Sequence, residues 1–116
     1  MCSSDLVRGK VLLNAVIANG LTTTVESEKP YAIAAINSLN NADIKAKNFQ
    51  GIVEHSKIGT QINPKKAMMW LFLGIGHQGT KNPEGARGAY EEVLKLDPNN
   101  QMAKKNLQSQ IGRAHV

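Results

Sequence analysis

Apolar residues along this chain recur at three- and four-residue spacings, a period that belongs to helices and not to the strict alternation of strands. Ile33, Ile36 and Leu39 share one face while Asn37, Asn40 and Asn41 fall elsewhere, which predicts a helix from 31 to about 45. Phe49, Ile52, Val53 and Ile62 pattern a second. A third is expected over 65 to about 79, and a fourth, with Ala86, Ala89, Tyr90, Val93 and Leu94 as its inner stripe, runs to about Leu96. Asn82-Pro83 reads as a cap followed by the first helical residue, where proline gives up an N–H that would lack a partner anyway. Upstream, Val11, Leu12, Val16 and Ile17 predict a helix within 7–20, whose continuation Gly20 and the run Thr22-Thr23-Thr24 weaken. From Asn99 a further helix places Ala103 and Leu107 inward. The expected fold class is all-α.

A second regularity lies over the helical one. The interval from Pro30 to Pro64 is the same as the interval from Pro64 to Pro98. The last two prolines follow similar pairs, Ile62-Asn63 and Leu96-Asp97, so each proline is expected to end one unit and open the next. Within the last full unit, Trp70, Leu73, Gly74 and His77, then Ala86 and Tyr90, then Pro98 follow the pattern W-x2-L-G-x2-Y…A-x3-F…P, with His in the first aromatic slot and Tyr for Phe. That stretch resembles a tetratricopeptide repeat (TPR), whose period matches the proline interval. The resemblance implies an α-solenoid of antiparallel helix pairs, in which Trp70, Leu73, Gly74, His77, Ala86, Tyr90, Val93 and Pro98 are packing residues. Gly74 would let a partner helix approach closely despite a propensity cost of about 1 kcal/mol. The implied organisation is a partial degenerate repeat over 7–30, a degenerate repeat over 31–64, the well-matched repeat over 65–98 and the first helix of a truncated repeat over 99–110. In the degenerate repeat Gly59 holds a small-residue position, but Ser56 stands where the family has a bulky aromatic. In the partial one Ala18 and Val25 hold small packing positions with no aromatic between them.

The two ends read differently from the rest. Ile111, Gly112, Arg113 and Ala114 can be encoded ATC GGA AGA GCA, whose reverse complement reads Cys-Ser-Ser-Asp, the residues from Cys2 to Asp5. Both strings resemble translated read-through of a common short-read sequencing adapter, so 1–6 and 111–116 are expected to be adapter-derived and the chain a fragment cut at both ends. The net charge of +5 is unchanged without them, and its basic residues are scattered among acids, as on a solvated helical surface. The sole cysteine, Cys2, lies in a suspect end, which leaves no basis for a disulfide framework or a cysteine metal site. No apolar run approaches the roughly 20 residues of a membrane span.

Catalytic patterns are wanting. There is no G-x-x-x-x-G-K-[ST] run, H-E-x-x-H, paired-cysteine spacing or EF-hand loop. Gly74, Gly76 and Gly79 lie in a helical pattern with no preceding strand, so they do not read as a phosphate cradle. His77 stands at a packing position, and His55 beside Glu54 makes a poor acid–base pair because neighbouring helical residues point apart. His115 lies in the suspect tail. No catalytic residue, metal or cofactor is expected, and the chain reads as a non-enzyme.

What the resemblance implies instead is a concave groove lined by first helices that takes a peptide or a partner helix. By position it would contain Asn37, Asn41 and Lys45, then Met68, Leu71, Ile75 and Gln78, then Met102 and Lys105, with Lys65, Lys66 and Asn99 near the junctions. Basic flanks around an apolar middle fit an acidic or carboxylate-bearing peptide. Leu71 and Ile75 occupy places where carboxylate-clamping relatives are expected to be polar, so that specific activity is not carried over. The leading expectation is a non-catalytic interaction or scaffolding module. The alternatives are an accessory repeat region of a larger enzyme or assembly machine and, behind it, a helical-repeat nucleic-acid binder, for which a basic stripe with interleaved aromatics is lacking. Open repeat ends would favour self-association.

Overall fold

A computed structural model describes residues 14–23 and 26–114, with side chains through Ser109. Those residues are helical without a strand: α1 over 14–22, a 3-10 turn Glu26–Glu28, α2 Lys29–Ala46, α3 Phe49–Ile62, α4 Ala67–Gly79, α5 Pro83–Leu96 and α6 Gln101–Ala114. The expected helix positions Val11, Leu12 and Val25, and the expected adapter-derived residues 1–6, lie outside the described residues, as does His115.

The connections explain where the helices stop. After α2 the chain turns at Lys47, held in the left-handed region at φ 58°, and Asn48 caps α3 by accepting from the Gly51 N–H at 3.2 Å. The same device follows α4, where Lys81 has φ 62° and Asn82 accepts from the Gly85 N–H at 3.1 Å. At the other ends, α3 and α5 stop at Asn63 and Asp97 with nearly the same backbone angles, φ −142° and −141°. Each side-chain oxygen there accepts a backbone N–H two residues on, from Lys65 at 3.2 Å and from Asn99 at 3.3 Å. Every one of these pairs is separated by the interval that separates Pro30 from Pro64, so the local geometry repeats with the proline period.

Several boundaries differ from expectation. Pro64 and Pro98 lie in the turns between helices, outside any first helical turn, because Asn63 and Asp97 commit their side chains to the turn and do not cap a helix. Helix α4 accordingly begins at Ala67 and not Lys65, and α6 at Gln101 and not Asn99, with Asn100 as its cap through a 2.9 Å bond from the Ala103 N–H. Pro30 and Pro83 do sit in first helical turns. In α1 the helix passes through Gly20 to Thr22, since Gly20 is buried against the Ala32 methyl. Ala18 is exposed and Val16 is 38% exposed, so Ile17 and Gly20 carry the packing expected of Ala18.

Contacts between neighbours run antiparallel: Gly59 meets Met69, Gly76 meets Val53, and Gly79 meets Phe49. From α2 onward each helix packs chiefly on the one before and the one after, which makes α4, buried through Met69, Leu71, Phe72, Leu73, Gly74 and Gly76, the most enclosed. Its nearly all-apolar sequence suits that position, because it is covered by α3 on one side and α5 on the other.

The two repeating interfaces are filled by different means. In the later unit, Gly74 leaves room for the fully buried Tyr90 ring, and a Cβ at Gly74 would lie 2.5 Å from Tyr90 Cε1. One period earlier the equivalents are Asn40 and Ser56, both fully buried, with Asn40 Nδ2 donating to Ser56 Oγ at 3.0 Å. A small–large pair has become two mid-sized polar residues joined by one hydrogen bond, which answers the missing aromatic at Ser56 but leaves Asn40 Oδ1 buried without a partner. Gly59 and Val93 show the reverse: buried Met69 fills the space at Gly59, whereas Val93 shares its cluster with the small Ala103.

Candidate functional site

The side chains expected to line one groove are distributed over three environments. Asn41 and Lys45 on α2, and Lys105 on α6, are exposed; Met68 and Met102 are 45% and 51% exposed. These offer themselves to solvent. Leu71 does not, because it is buried in the cluster of Ala86, Tyr90, Val93 and Ala103, with Ile75 half-buried against the same cluster. Gln78 is committed internally: its Oε1 accepts from the Tyr90 hydroxyl at 2.7 Å. Asn99 is exposed, with its N–H bonded to Asp97.

The structure gathers Asn37, Lys65 and Lys66 at a cleft of about 520 Å³ between the start of α2 and the α3–α4 turn. Its other walls are Glu26, Lys29, Pro30, Ile33, Ala34, Ile62, Asn63 and Pro64, none of which the groove expectation included. The signal was present only indirectly: Pro30 and Pro64 mark equivalent junctions in the repeating period, and the cleft forms where the two come together. Lys29 is paired with Glu26 at 2.7 Å, while Lys65 and Lys66 make no ion pair among the described residues. Asn37 Oδ1 is buried without a hydrogen-bond partner.

The packing residues account for the remaining polar groups. Trp70 donates its indole N–H to the Pro64 carbonyl at 2.8 Å, tying α4 to the turn before it. Leu73 packs with Val53 and Ala89, and Pro98 is exposed in its turn. Burial pushes the Tyr90 hydroxyl up to about 12, against a smaller opposing effect of a hydrogen bond with Asn106. His77 is half-buried beside Gly85, and Asn82 Nδ2 lies 3.4 Å from its Nδ1. Burial, with the nearby Lys57 charge as the lesser cause, holds its imidazole below its ordinary pKa. His55 pairs across helices with Asp43, Nδ1 to Oδ2 at 3.4 Å, although neither atom reaches hydrogen-bond geometry. Glu54 instead accepts from Gln50 at 3.4 Å.

Among the described residues no helix is long and apolar enough to cross a membrane, and no three His, Cys, Asp or Glu side chains cluster as metal ligands would. No family model matches the chain. It is similar to a Caenorhabditis elegans protein named as a protein O-mannosyl-transferase, with 33% identity over 70 residues. That match covers 60% of this chain and 10% of the relative, so the chain spans about a tenth of the length of the curated protein it matches.

Proposed function

We propose that this chain is a stretch of tetratricopeptide-repeat solenoid that serves as a non-catalytic protein-interaction module. One observation carries the reading: the left-handed turn, the asparagine cap and the Asx turn each recur at the proline interval, on helices that pair antiparallel in sequence order. Stacked units of this kind bury their apolar faces against each other and leave one ridge of alternate helices to solvent. On that ridge α4 and α6 each offer a half-exposed methionine, Met68 and Met102, at equivalent positions. Methionine is flexible and polarisable, which suits contact with a partner of irregular shape. The test is a peptide-display selection against the whole chain, with Met68→Glu/Met102→Glu as the counter-target. Saturable ligands that the double variant rejects support the reading, and ligands indifferent to it, or none, refute it.

A second reading is favoured by the partial match to a protein named as a mannosyl-transferase. The repeats would then be an accessory region of a larger enzyme, positioning its protein substrate or a companion subunit, with the chemistry done elsewhere. Sequencing outward from the 7–110 coding region on source DNA separates the two, since an in-frame catalytic domain favours the accessory role and its absence favours a free-standing module.

A further inference from the structure

We infer that α2, carrying α1 with it, is a flap that opens as a unit from α3 while α3 to α6 stay packed. The observation behind it is a polar seam. Among the described residues, four buried side-chain atoms have no hydrogen-bond partner: Asn37 Oδ1, Asn40 Oδ1 and Asp43 Oδ2 on α2, and His55 Nδ1 on α3. The three on α2 recur at every third residue and so share one side of the helix. That side meets α3, since Asn40 Nδ2 donates to Ser56 Oγ and Asp43 Oδ2 lies 3.4 Å from His55 Nδ1. A buried polar atom without a partner carries its desolvation penalty only while the interface is closed, and water entering the seam relieves it. The seam therefore lowers the free energy needed to part α2 from α3.

The next repeat supplies an internal comparison. Its α4–α5 connection has the same left-handed lysine and the same asparagine cap, so the two turns do not differ. The interiors do. Gly74 leaves room for the Tyr90 ring, the Tyr90 hydroxyl donates to Gln78, and no buried side-chain atom of α4 or α5 lacks a partner among the described residues. The neighbours differ as well. Helix α3 is held on its other side by α4, through Val53 at Gly76, Phe49 at Gly79 and Met69 at Gly59, so it keeps its place when α2 leaves. Helix α2 packs chiefly on α3, and α1 is tied to its start by hydrogen bonds from Asn19 and Thr23 to Glu28. Opening uncovers Ile52 and Ile62 of α3 and Met69 of α4, which in the closed form share one cluster with Ile33, Ile36 and Leu39.

The test is native-state hydrogen exchange on the full 116-residue chain at low urea, read amide by amide. Ile36, Leu39 and Asn40 are expected to be protected about tenfold or more below Val53, Leu73 and Tyr90, and to respond to urea together, as one opening unit does. Asn40→Leu/Ser56→Ala replaces both polar partners with apolar groups and should raise protection across α2 by about tenfold, while Tyr90 changes less. Asn37→Leu removes a different orphaned acceptor without touching the Asn40–Ser56 bond, should act in the same direction, and stands in where the double variant does not fold. Protection in α2 equal to that in α5 overturns the inference. So does exchange in α2 that is graded from the helix ends and independent of urea, the mark of fraying, or protection that neither variant raises.

Discussion

Substituting Gly74→Ala isolates the close contact of α4 with the buried aromatic ring of α5. The added methyl would lie 2.5 Å from Tyr90 Cε1 and 2.8 Å from Cδ1 and Cζ. The ring cannot swing aside easily, because it is fully buried and its hydroxyl donates to Gln78 at 2.7 Å. Overpacking of this kind costs about 1–3 kcal/mol. Replacing a helical glycine also gains roughly 0.5–1 kcal/mol from lower chain entropy, which masks part of the cost. Gly88→Ala supplies the control: Gly88 is also within a helix, and nothing lies within 4 Å of its would-be Cβ, so it shows the entropic gain alone. The expected difference between the two variants is therefore the overpacking cost, about 1–3 kcal/mol in urea unfolding, or roughly 4 °C or more in thermal midpoint. The polar pair Asn40–Ser56 provides a second arm. Gly74→Asn and Tyr90→Ser should each destabilise, and together should be less damaging than their sum by about 1 kcal/mol or more, because the pair can then bond as its equivalent does. Equal stability of Gly74→Ala and Gly88→Ala would refute the packing account of α4 on α5.

Other expectations follow from the same geometry. Ser56→Ala removes the acceptor for Asn40 Nδ2 in a fully buried site and should cost about 1–3 kcal/mol, read from the urea midpoint at unchanged slope. Asn48→Ala and Asn82→Ala each delete a cap and should cost about 1 kcal/mol apiece, with similar values because the two caps are equivalent in geometry. The imidazole of His77 binds its proton less readily when folded than when unfolded, so the unfolded chain takes up more protons on acidification. The contribution of His77 is full above its ordinary value of 6.5 and is lost as pH falls from there toward the lower folded value. His77→Phe should flatten that segment of the stability–pH curve, and an unaltered slope would mean that the ring is not buried against α5.

Much of this architecture was legible in one dimension. Helix α2 and helix α5 were foreseen within two residues of their ends, and Asn82-Pro83 was foreseen as cap and first turn, because these features depend on residues within one turn of each other. The repeating period was equally visible in three evenly spaced prolines. Their role was not, since whether Asn63 and Asp97 cap a helix or close a turn depends on how the chain is steered into its neighbour. Positional transfer also left unseen which of the expected groove side chains are free. Leu71 and Gln78 both lie on α4, but α5 and α6 cover the first and Tyr90 holds the second.

The amino-acid sequence by itself determined that this chain would be helical, where α2 and α5 begin and end, and that the helices would recur at the proline interval, because periodicity, capping and proline geometry act over a few bonds. The tertiary structure alone decided how each interface is filled, whether by Gly74 beneath Tyr90, by Asn40 bonded to Ser56, or by Met69 over Gly59. It alone paired His55 with Asp43 and brought Asn37 to the same cleft as Lys65 and Lys66. Such pairings join residues far apart in the chain, and they are set by the register in which whole helices pack, a quantity that no short stretch of sequence contains.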